Sequence, residues 1–167
     1  MPDFVETVLE EARWQSVDIA GLAETACAAV LSEMGLDPDG YEIALLACDD
    51  ARIAALNLDF RDKPTPTNVL SWPAFDLSPD AEGAQPFAPE VASGPFAVSL
   101  GDMAIAYETC MNEATDQKKP FENHVTHLLV HGCLHLLGYD HVSDKDAARM
   151  EAAEVAILAK LGIADPY

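Results

Sequence analysis

Four segments of the chain show the hydrophobic patterns that are typical of β-strands. Apolar and polar residues alternate over residues 4–9, which favours a first strand, with a short helix as the alternative. Residues 41–48 form a compact strand-like run, and residues 67–73 form another that Pro73 closes. A fourth strand is predicted over residues 96–106. The pattern therefore predicts a small sheet.

Helical spacing of apolar residues predicts helices between these strands. From residue 18 onward, apolar side chains recur every three or four positions, and Gly35 supplies the stop. An acidic pair after the second strand is a natural cap for a helix over about residues 51–59, and another helix extends to about residue 116. Strands and helices are thus interspersed. We predict an α+β fold, in which a small mixed β-sheet packs with about five helices around a buried central helix that bears histidines.

Residues 74–96 interrupt this regular pattern. They are rich in Pro, Gly, Ala and Asp and have no periodicity, which predicts a long mobile loop. Half of the 167 residues are hydrophobic, so an ordinary core can form. We expect residues 1–167 to form a single domain that includes this loop.

The central helix carries most of the candidate chemistry. Pro120 suits its first position and Gly138 its stop, which gives a helix of about residues 120–137. Four histidines fall within an arc of about 80° on this helix, and the remaining circumference is apolar. A single polar stripe on an otherwise buried helix must open onto a cleft. These histidines are His124, His127, His131 and His135.

Three histidines have the spacing of a catalytic metal site. His131 and His135 are four residues apart, so their imidazoles project side by side. Gly138 can take a positive φ and reverse the chain, which returns His141 to the same point. Three imidazoles leave a fourth coordination position open, as in catalytic zinc sites. We therefore predict one bound Zn²⁺.

The neighbours of this motif leave alternatives open. Cys133 is either an additional ligand or a small core residue on the far side of the helix. His127 is either a ligand or a packing residue behind the ligands, and His124 is expected near the rim of the cleft. Metalloproteases with this histidine spacing have a glutamate, their general base, after the first histidine, where this chain has Gly132. The motif therefore argues against proteolysis.

The net charge and the cysteines indicate which partners and which cellular location the sequence favours. The formal net charge is −20, so the general surface repels nucleic acid, and any contact with RNA is confined to a local site. No apolar stretch approaches the length of a membrane span, and the acidic N-terminal segment does not resemble a secretory signal. Four cysteines without a C-x-x-C pair are expected to be reduced thiols, which favours the cytoplasm.

Several segments together resemble the YbeY family of bacterial metallo-endoribonucleases. HGCLHLLGYDH (131–141) is similar to the family signature, and FRDKPTPTNVLSWP (60–73) and LGDMAIA (100–106) are similar to two upstream blocks. SDKDAARMEAAEVAILAKLG (143–162) and DPY (165–167) are similar to its last helix and its ending. The resemblance implies a zinc-dependent hydrolase that cuts single-stranded RNA, matures the 3′ end of 16S rRNA and acts in ribosome quality control. Its zinc ligands correspond to His131, His135 and His141.

The resemblance also implies a catalytic role for Arg61, which would hold a phosphate oxygen and offset charge in the transition state. The alternative for this arginine is an ion pair with Asp59 or Asp62. Lys63 is expected to add a phosphate contact, as are Lys118 and Lys119, although such lysines are commonly only solvated.

Four further polar residues have two interpretations each. Asn68 and Ser71 either line the cleft and bind substrate or only form hydrogen bonds of the turn and strand edge. Asp102 and Asp140 are candidates for orienting the ligand histidines, and Asp140 could instead close the turn before His141.

Two other functional classes stay open from the sequence. The first is a non-catalytic ribosome-assembly factor with a structural metal. The second is a metal hydrolase that acts on a peptide or a small phosphodiester. The expected partners are single-stranded rRNA and the small ribosomal subunit or its assembly factors, and no membrane is expected.

Overall fold

A computed structural model describes residues 4–91 and 94–167, so Met1–Asp3 and the loop residues Ala92 and Ser93 lie outside it. Within this range it contains four strands and five α-helices, which confirms the predicted α+β class. The strands are β1 (Val5–Leu9), β2 (Tyr41–Cys48), β3 (Val69–Pro73) and β4 (Val98–Ala106). The α-helices are α1 (Ile19–Glu33), α2 (Asp50–Arg61), α3 (Tyr107–Asp116), α4 (Phe121–Leu136) and α5 (Asp144–Lys160). Short 3-10 helices occupy Ala12–Val17 and Pro38–Gly40.

The strands form one mixed sheet in the order β1-β2-β4-β3. β1 and β4 both run parallel to β2, with Val5 opposite Ile43 and Leu45 opposite Met103. β3 runs antiparallel to β4 at the sheet edge, where Leu70 lies opposite Ala104. The sheet is therefore mixed, as predicted.

The two faces of the sheet are covered unequally. The main core lies between one face and α1, α4 and α5, and it includes Leu31, Ile105, Leu129 and Ile157. A smaller cluster around Ile53 lies under α2 on the other face. None of the helices within the described residues combines the length and apolar composition that a membrane crossing requires.

Helix α4 is the central helix that the sequence predicts, and most of its residues are buried. Pro120 is its N-cap, so the helix begins one residue later than the proline signal predicts. The ring of Phe121 stacks on that of the fully buried Trp14 with centroids 5.7 Å apart. This packing fixes the start of α4 and therefore the direction of its histidine stripe.

Residues 74–91, which follow β3, contain no helix or strand and are anchored to distant elements at several points. The mobility expected of residues 74–96 stays a prediction. The amide of Gly83 donates to Asp146 Oδ1 at 2.8 Å, and Arg149 Nε donates to the Gly83 carbonyl at 2.7 Å. The side-chain amide of Gln85 donates to the Tyr139 hydroxyl at 2.8 Å. Hydrogen bonds to distant elements leave no periodic pattern, which is why the sequence does not indicate this anchoring.

Candidate metal centre

Two imidazoles on α4 and one on the following turn converge on a single point. The rings of His131 and His135 lie one helical turn apart, with centroids separated by 4.6 Å. The ring of His141 lies 5.3 Å from the first and 5.1 Å from the second. One nitrogen of each ring lies within 4.8 Å of the other two, so the group could hold a metal ion. The structure thus brings together the three histidines of the sequence motif.

The hydrogen bonds of the two helical histidines determine which nitrogens face this point. His131 Nδ1 lies 2.5 Å from Glu154 Oε1, and His135 Nδ1 lies 2.9 Å from the carbonyl oxygen of Tyr139. A carboxylate and a carbonyl only accept hydrogen bonds, so both Nδ1 atoms carry the proton in the neutral rings. Both Nε2 atoms then present lone pairs to each other.

These two Nε2 atoms are 3.0 Å apart. Two lone pairs at that distance repel each other unless a cation lies beside them. The distance is close to the separation of two nitrogen ligands on a tetrahedral zinc, which is about 3.3 Å. Burial and the neighbouring His131 lower the pKa of His135 to about 4, so this ring is neutral near pH 7. The donor set therefore fits a divalent metal ion.

The turn that carries His141 depends on one glycine. Gly138 has a φ of +95°, and a Cβ there would lie 2.6 Å from the carbonyl oxygen of Leu77. The amide of His141 donates to Asp140 Oδ1 at 2.7 Å. Asp140 therefore closes the turn, which is the second of its two predicted roles, and the anchored loop packs directly against the ligand turn.

Glu154 is the main component of the site that the sequence analysis missed. This carboxylate on α5 is fully buried, and the Tyr167 hydroxyl also donates to it. Burial alone raises the pKa of Glu154, but the polar hydrogens of His127, His131 and Tyr167 outweigh that effect and lower the pKa to about 2. The carboxylate is therefore ionised and fixes the orientation of His131. The helical spacing of Glu154 with Met150, Ile157 and Leu158 is a sequence signal that it is buried, but the spacing does not indicate His131 as its partner.

The other residues near the motif have structural positions. Cys133 is fully buried within the main core and lies outside the group of three imidazoles, as its second interpretation states. His127 packs behind the ligands, with Nε2 3.5 Å from Glu154 Oε2. The prediction that His124 lies near the rim is wrong. Its ring is 4% exposed, because His124 Nε2 pairs with Glu113 Oε1 at 2.9 Å beneath the surface.

The three imidazoles lie in an open cleft of about 940 Å³. Arg61, the last residue of α2, is exposed and lines the same cleft. Within residues 4–91 and 94–167 it forms no ion pair with Asp59 or Asp62, so the alternative interpretation of this arginine is not realised. Lys63 is exposed beyond the cleft wall.

Asn68 and Ser71 line the cleft and also hold its framework together. The Asn68 amide donates to Glu113 Oε1 at 3.1 Å, and its Oδ1 accepts from the amide of Val69 at 2.6 Å. The Ser71 hydroxyl donates to the Gly132 carbonyl at 2.9 Å and so joins β3 to α4. Both polar groups of Asn68 are therefore engaged, whereas Ser71 Oγ can still accept a hydrogen bond.

Comparison with known proteins identifies the family. The family described as Endoribonuclease YbeY matches residues 5–162. The chain belongs to the YbeY family. Among relatives named Endoribonuclease YbeY, that of Jannaschia sp. is 50% identical, with 98% of this chain and 99% of the relative covered. That of Ruegeria pomeroyi is 56% identical, with 98% and 97% covered. That of Paracoccus denitrificans is 53% identical, with 100% and 91% covered.

A solved structure supports the fold. The solution structure of a Thermotoga maritima protein matches with a TM-score of 0.55 at 20% identity, over 95% of this chain and 91% of that protein. The similarity shows a shared architecture. The family itself is one of endoribonucleases, so the chain is placed among RNA-cleaving enzymes.

The structure explains why this member has Gly132 where metalloproteases have their glutamate. A Cβ at Gly132 would already lie 3.0 Å from Met103 Cε and 3.1 Å from Ser71 Oγ. This position of α4 therefore faces the sheet, and a larger side chain there would have to displace Met103 and Ser71. The tight packing agrees with the absence of a general base at this position.

Asp102 does not orient a ligand histidine, contrary to the prediction. It lies opposite Ala44 on β2 and Trp72 on β3, and it lines a groove with Val8 and Leu56 on the face of the sheet away from α4. The orienting acceptors for the helical ligands are instead Glu154 and the Tyr139 carbonyl. Alternation along β4 explains the difference, because Met103 faces the core and its neighbours face away.

Proposed function

We propose that this chain is a zinc-dependent endoribonuclease that cleaves single-stranded RNA. The observation that carries the proposal is the convergence of His131 Nε2 and His135 Nε2, 3.0 Å apart, with His141 in one cleft with Arg61. We infer from its family that it acts in the cytoplasm, in 16S rRNA 3′-end maturation and ribosome quality control. The small ribosomal subunit or its assembly factors would then be its partners.

His131, His135 and His141 would hold one Zn²⁺ with a coordination position left open. When bound, such an ion supplies Lewis acidity, which activates water as a nucleophile and withdraws charge from a phosphate. The chain itself contributes orientation. Glu154 and the Tyr139 carbonyl keep the two helical imidazoles in the tautomer that binds metal.

Arg61 would bind the scissile phosphate. A guanidinium can donate two parallel hydrogen bonds to two phosphate oxygens, and its charge offsets the negative charge that increases in the transition state. Its location at the end of α2, on the cleft wall, suits this role. No carboxylate within the described residues competes for it in an ion pair, so the guanidinium is free to bind phosphate.

Substrate binding is proposed to be assisted, to different degrees, by Lys63, Asn68 and Ser71. Ser71 Oγ can accept a hydrogen bond from a ribose hydroxyl, because its own hydrogen is already donated to Gly132. Asn68 would act by holding the strand edge in place through Glu113. Lys63 would contact a phosphate outside the cleft.

The two alternative functions have less support. A non-catalytic assembly factor with a structural metal would be expected to close its metal site, whereas three histidines in an open cleft leave a position for water or substrate. A peptidase lacks its base here, and a side chain larger than Gly132 would have to displace Met103 and Ser71.

Cleavage of an end-labelled single-stranded RNA by zinc-loaded protein tests the proposal. We expect cleavage that a chelator or His131→Ala abolishes. Arg61→Ala should lower the rate constant about 100- to 1,000-fold, the usual loss when one donor to transition-state charge is removed. Arg52→Ala is the matched control, because Arg52 is an exposed arginine on the same helix that pairs with Glu10.

Cleavage that survives the chelator and both active-site variants would come from a contaminating nuclease and would contradict the proposal. A structural metal predicts a different pattern, in which intact zinc-loaded protein leaves RNA uncut and chelation unfolds the chain. Circular dichroism of the chelated protein distinguishes the two, because a catalytic site predicts that the helical signal is retained.

A further inference from the structure

The cleft offers a nucleic-acid strand little positive charge. Arg61 is the only lysine or arginine among the described residues that lines it, and the whole chain has a formal net charge of −20. Asp76 and Asp140 line the same cleft. Hydrogen bonding to Ser78 keeps the pKa of Asp76 below its usual value, so this carboxylate is ionised and repels phosphate. Phosphate contacts alone therefore cannot account for binding of a strand here.

The same cleft exposes two phenylalanine rings. Phe60, next to Arg61 on α2, is 48% exposed, and Phe75, just beyond β3, is 43% exposed. The ring of Phe60 packs against that of Trp72, with centroids 5.2 Å apart and planes at 55°. This contact fixes one side of the Phe60 ring and leaves the rest of it accessible from the cleft.

We propose that Phe60 and Phe75 are stacking platforms that each bind one unpaired base of the RNA strand at the active site. The proposal rests on the function proposed above and adds the source of substrate affinity. Aromatic side chains bind single strands by stacking on bases, and this binding tolerates any sequence because every base has a π-face. A paired base cannot reach such a ring without leaving its helix, so the platforms favour single strands.

Charge and position agree on how the strand would lie. Arg61 and Phe60 line the same cleft, so a strand whose phosphate binds the guanidinium has a base within reach of that ring. Phe75 is adjacent to the ionised Asp76, where a base is tolerated and a phosphate is repelled. The strand therefore presents bases more than phosphates to this wall of the cleft.

Steady-state cleavage of short RNAs by the zinc-loaded enzyme tests the platforms. Phe60→Ala and Phe75→Ala should each raise KM about 5- to 150-fold, the range of measured base–aromatic stacking, while kcat changes much less. Phe60→Leu keeps an apolar side chain against Trp72 but removes the π-face, so it should behave like Phe60→Ala. Phe60→Trp keeps an aromatic face, so its KM should be close to that of the wild-type enzyme. Phe96→Ala is the matched control, because Phe96 is 83% exposed and lies outside the cleft.

A substrate series with one abasic nucleotide at each position near the cleavage site supplies the decisive comparison. With wild-type enzyme, one abasic position per platform should raise KM as much as the corresponding alanine variant. With that alanine variant, the same abasic position should raise KM little further, because the stacking partner of the base is already absent.

Two results would contradict the proposal that Phe60 and Phe75 stack on bases, while leaving the proposed function intact. One is an abasic substrate that raises KM as much in both alanine variants as in wild-type enzyme. The other is a wild-type KM for Phe60→Leu. Wild-type protein that fails to cut any of these RNAs when loaded with zinc would instead refute the proposed function itself.

Discussion

At the scale of single residues, a buried carboxylate orients one histidine of the candidate site. Glu154 accepts from His131 Nδ1 and from the Tyr167 hydroxyl, and it is fully buried. A buried charge of this kind is stable only when hydrogen-bonded, and here one of its partners is a histidine of the candidate metal site. Orientation of His131 therefore depends on packing of α5 and of residues 163–167 against α4.

Replacing this carboxylate should weaken metal binding. We expect Glu154→Gln to lower zinc affinity about 10- to 100-fold, as is usual for partners of ligand histidines, and Tyr167→Phe to have a smaller effect in the same direction. Competition with a chromophoric chelator measures both affinities. Glu151→Gln is the matched control, because Glu151 is an exposed glutamate one turn earlier on α5. Equal affinities for Glu154→Gln and Glu151→Gln would refute the orienting role.

At the scale of elements, the ligand turn and the long loop form one structural unit. The loop reaches the turn where Leu77 contacts Gly138, and it is tied to α5 through Gly83. The turn that supplies His141 is therefore supported from a segment about sixty residues earlier in the chain. Changes in either partner should affect the other.

Gly138→Ala should be more damaging than the same change at an uncrowded left-handed glycine. Gly162 has a φ of +76°, and no heavy atom lies within 4 Å of the position that a Cβ would take there. Gly162→Ala therefore isolates the backbone cost of about 1–2 kcal/mol. Gly138→Ala adds a contact with the Leu77 carbonyl. Urea unfolding should show a larger loss of stability, and only this variant should lose zinc affinity. Equal losses of stability in Gly138→Ala and Gly162→Ala would contradict the steric argument.

Loosening the anchor of the loop should expose it to protease. Arg149→Ala removes the donors to the Gly83 carbonyl and to Gln85 Oε1. Chymotrypsin should then cut within residues 74–97 faster than in wild-type protein, because that segment contains several phenylalanines and loses two of its hydrogen bonds to α5, while the bond from the Gly83 amide to Asp146 remains. Arg52→Ala, which removes only a surface ion pair with Glu10, should leave the rate unchanged. An unchanged rate of chymotrypsin cleavage in Arg149→Ala would show that the hydrogen bonds of Arg149 contribute little to protecting the loop.

At the scale of the whole molecule, the candidate site lies on a strongly acidic protein of an endoribonuclease family. The formal net charge is −20, while the cleft has one arginine and three histidines that could hold a metal ion. Long-range attraction therefore does not bring RNA to the cleft, and recognition is local.

Weak salt dependence of RNA binding follows from this charge distribution. Each phosphate contact with a single strand contributes a slope of about −0.7 to a plot of log K against log salt concentration. With Arg61 and at most Lys63 in contact, the slope should lie between about 0 and −1.4. Fluorescence anisotropy of labelled RNA across a salt series measures it. A slope of about −3 or steeper would require phosphate contacts with more basic residues than the one arginine that lines the cleft and Lys63.

Local patterns predicted the elements and the histidine motif but not the partners that complete the site. The spacing of His131, His135 and His141 depends on helix geometry and one turn, so sequence suffices for it. Glu154, the acceptor of His131, and Glu113, which pairs with the buried His124, come from other helices. Their proximity results from tertiary packing, as does the face on which Asp102 lies. No local periodicity encodes such contacts.

Titration of metal-free protein with zinc, followed by the RNA-cleavage rate at each point, tests the central claim most directly. A single catalytic ion predicts that the rate rises in proportion to added zinc and stops rising at one equivalent per chain. His141→Ala should abolish that break, because it removes one of the three ligands. Full cleavage by protein whose zinc has been removed, or a rate that does not follow zinc occupancy, would contradict the account.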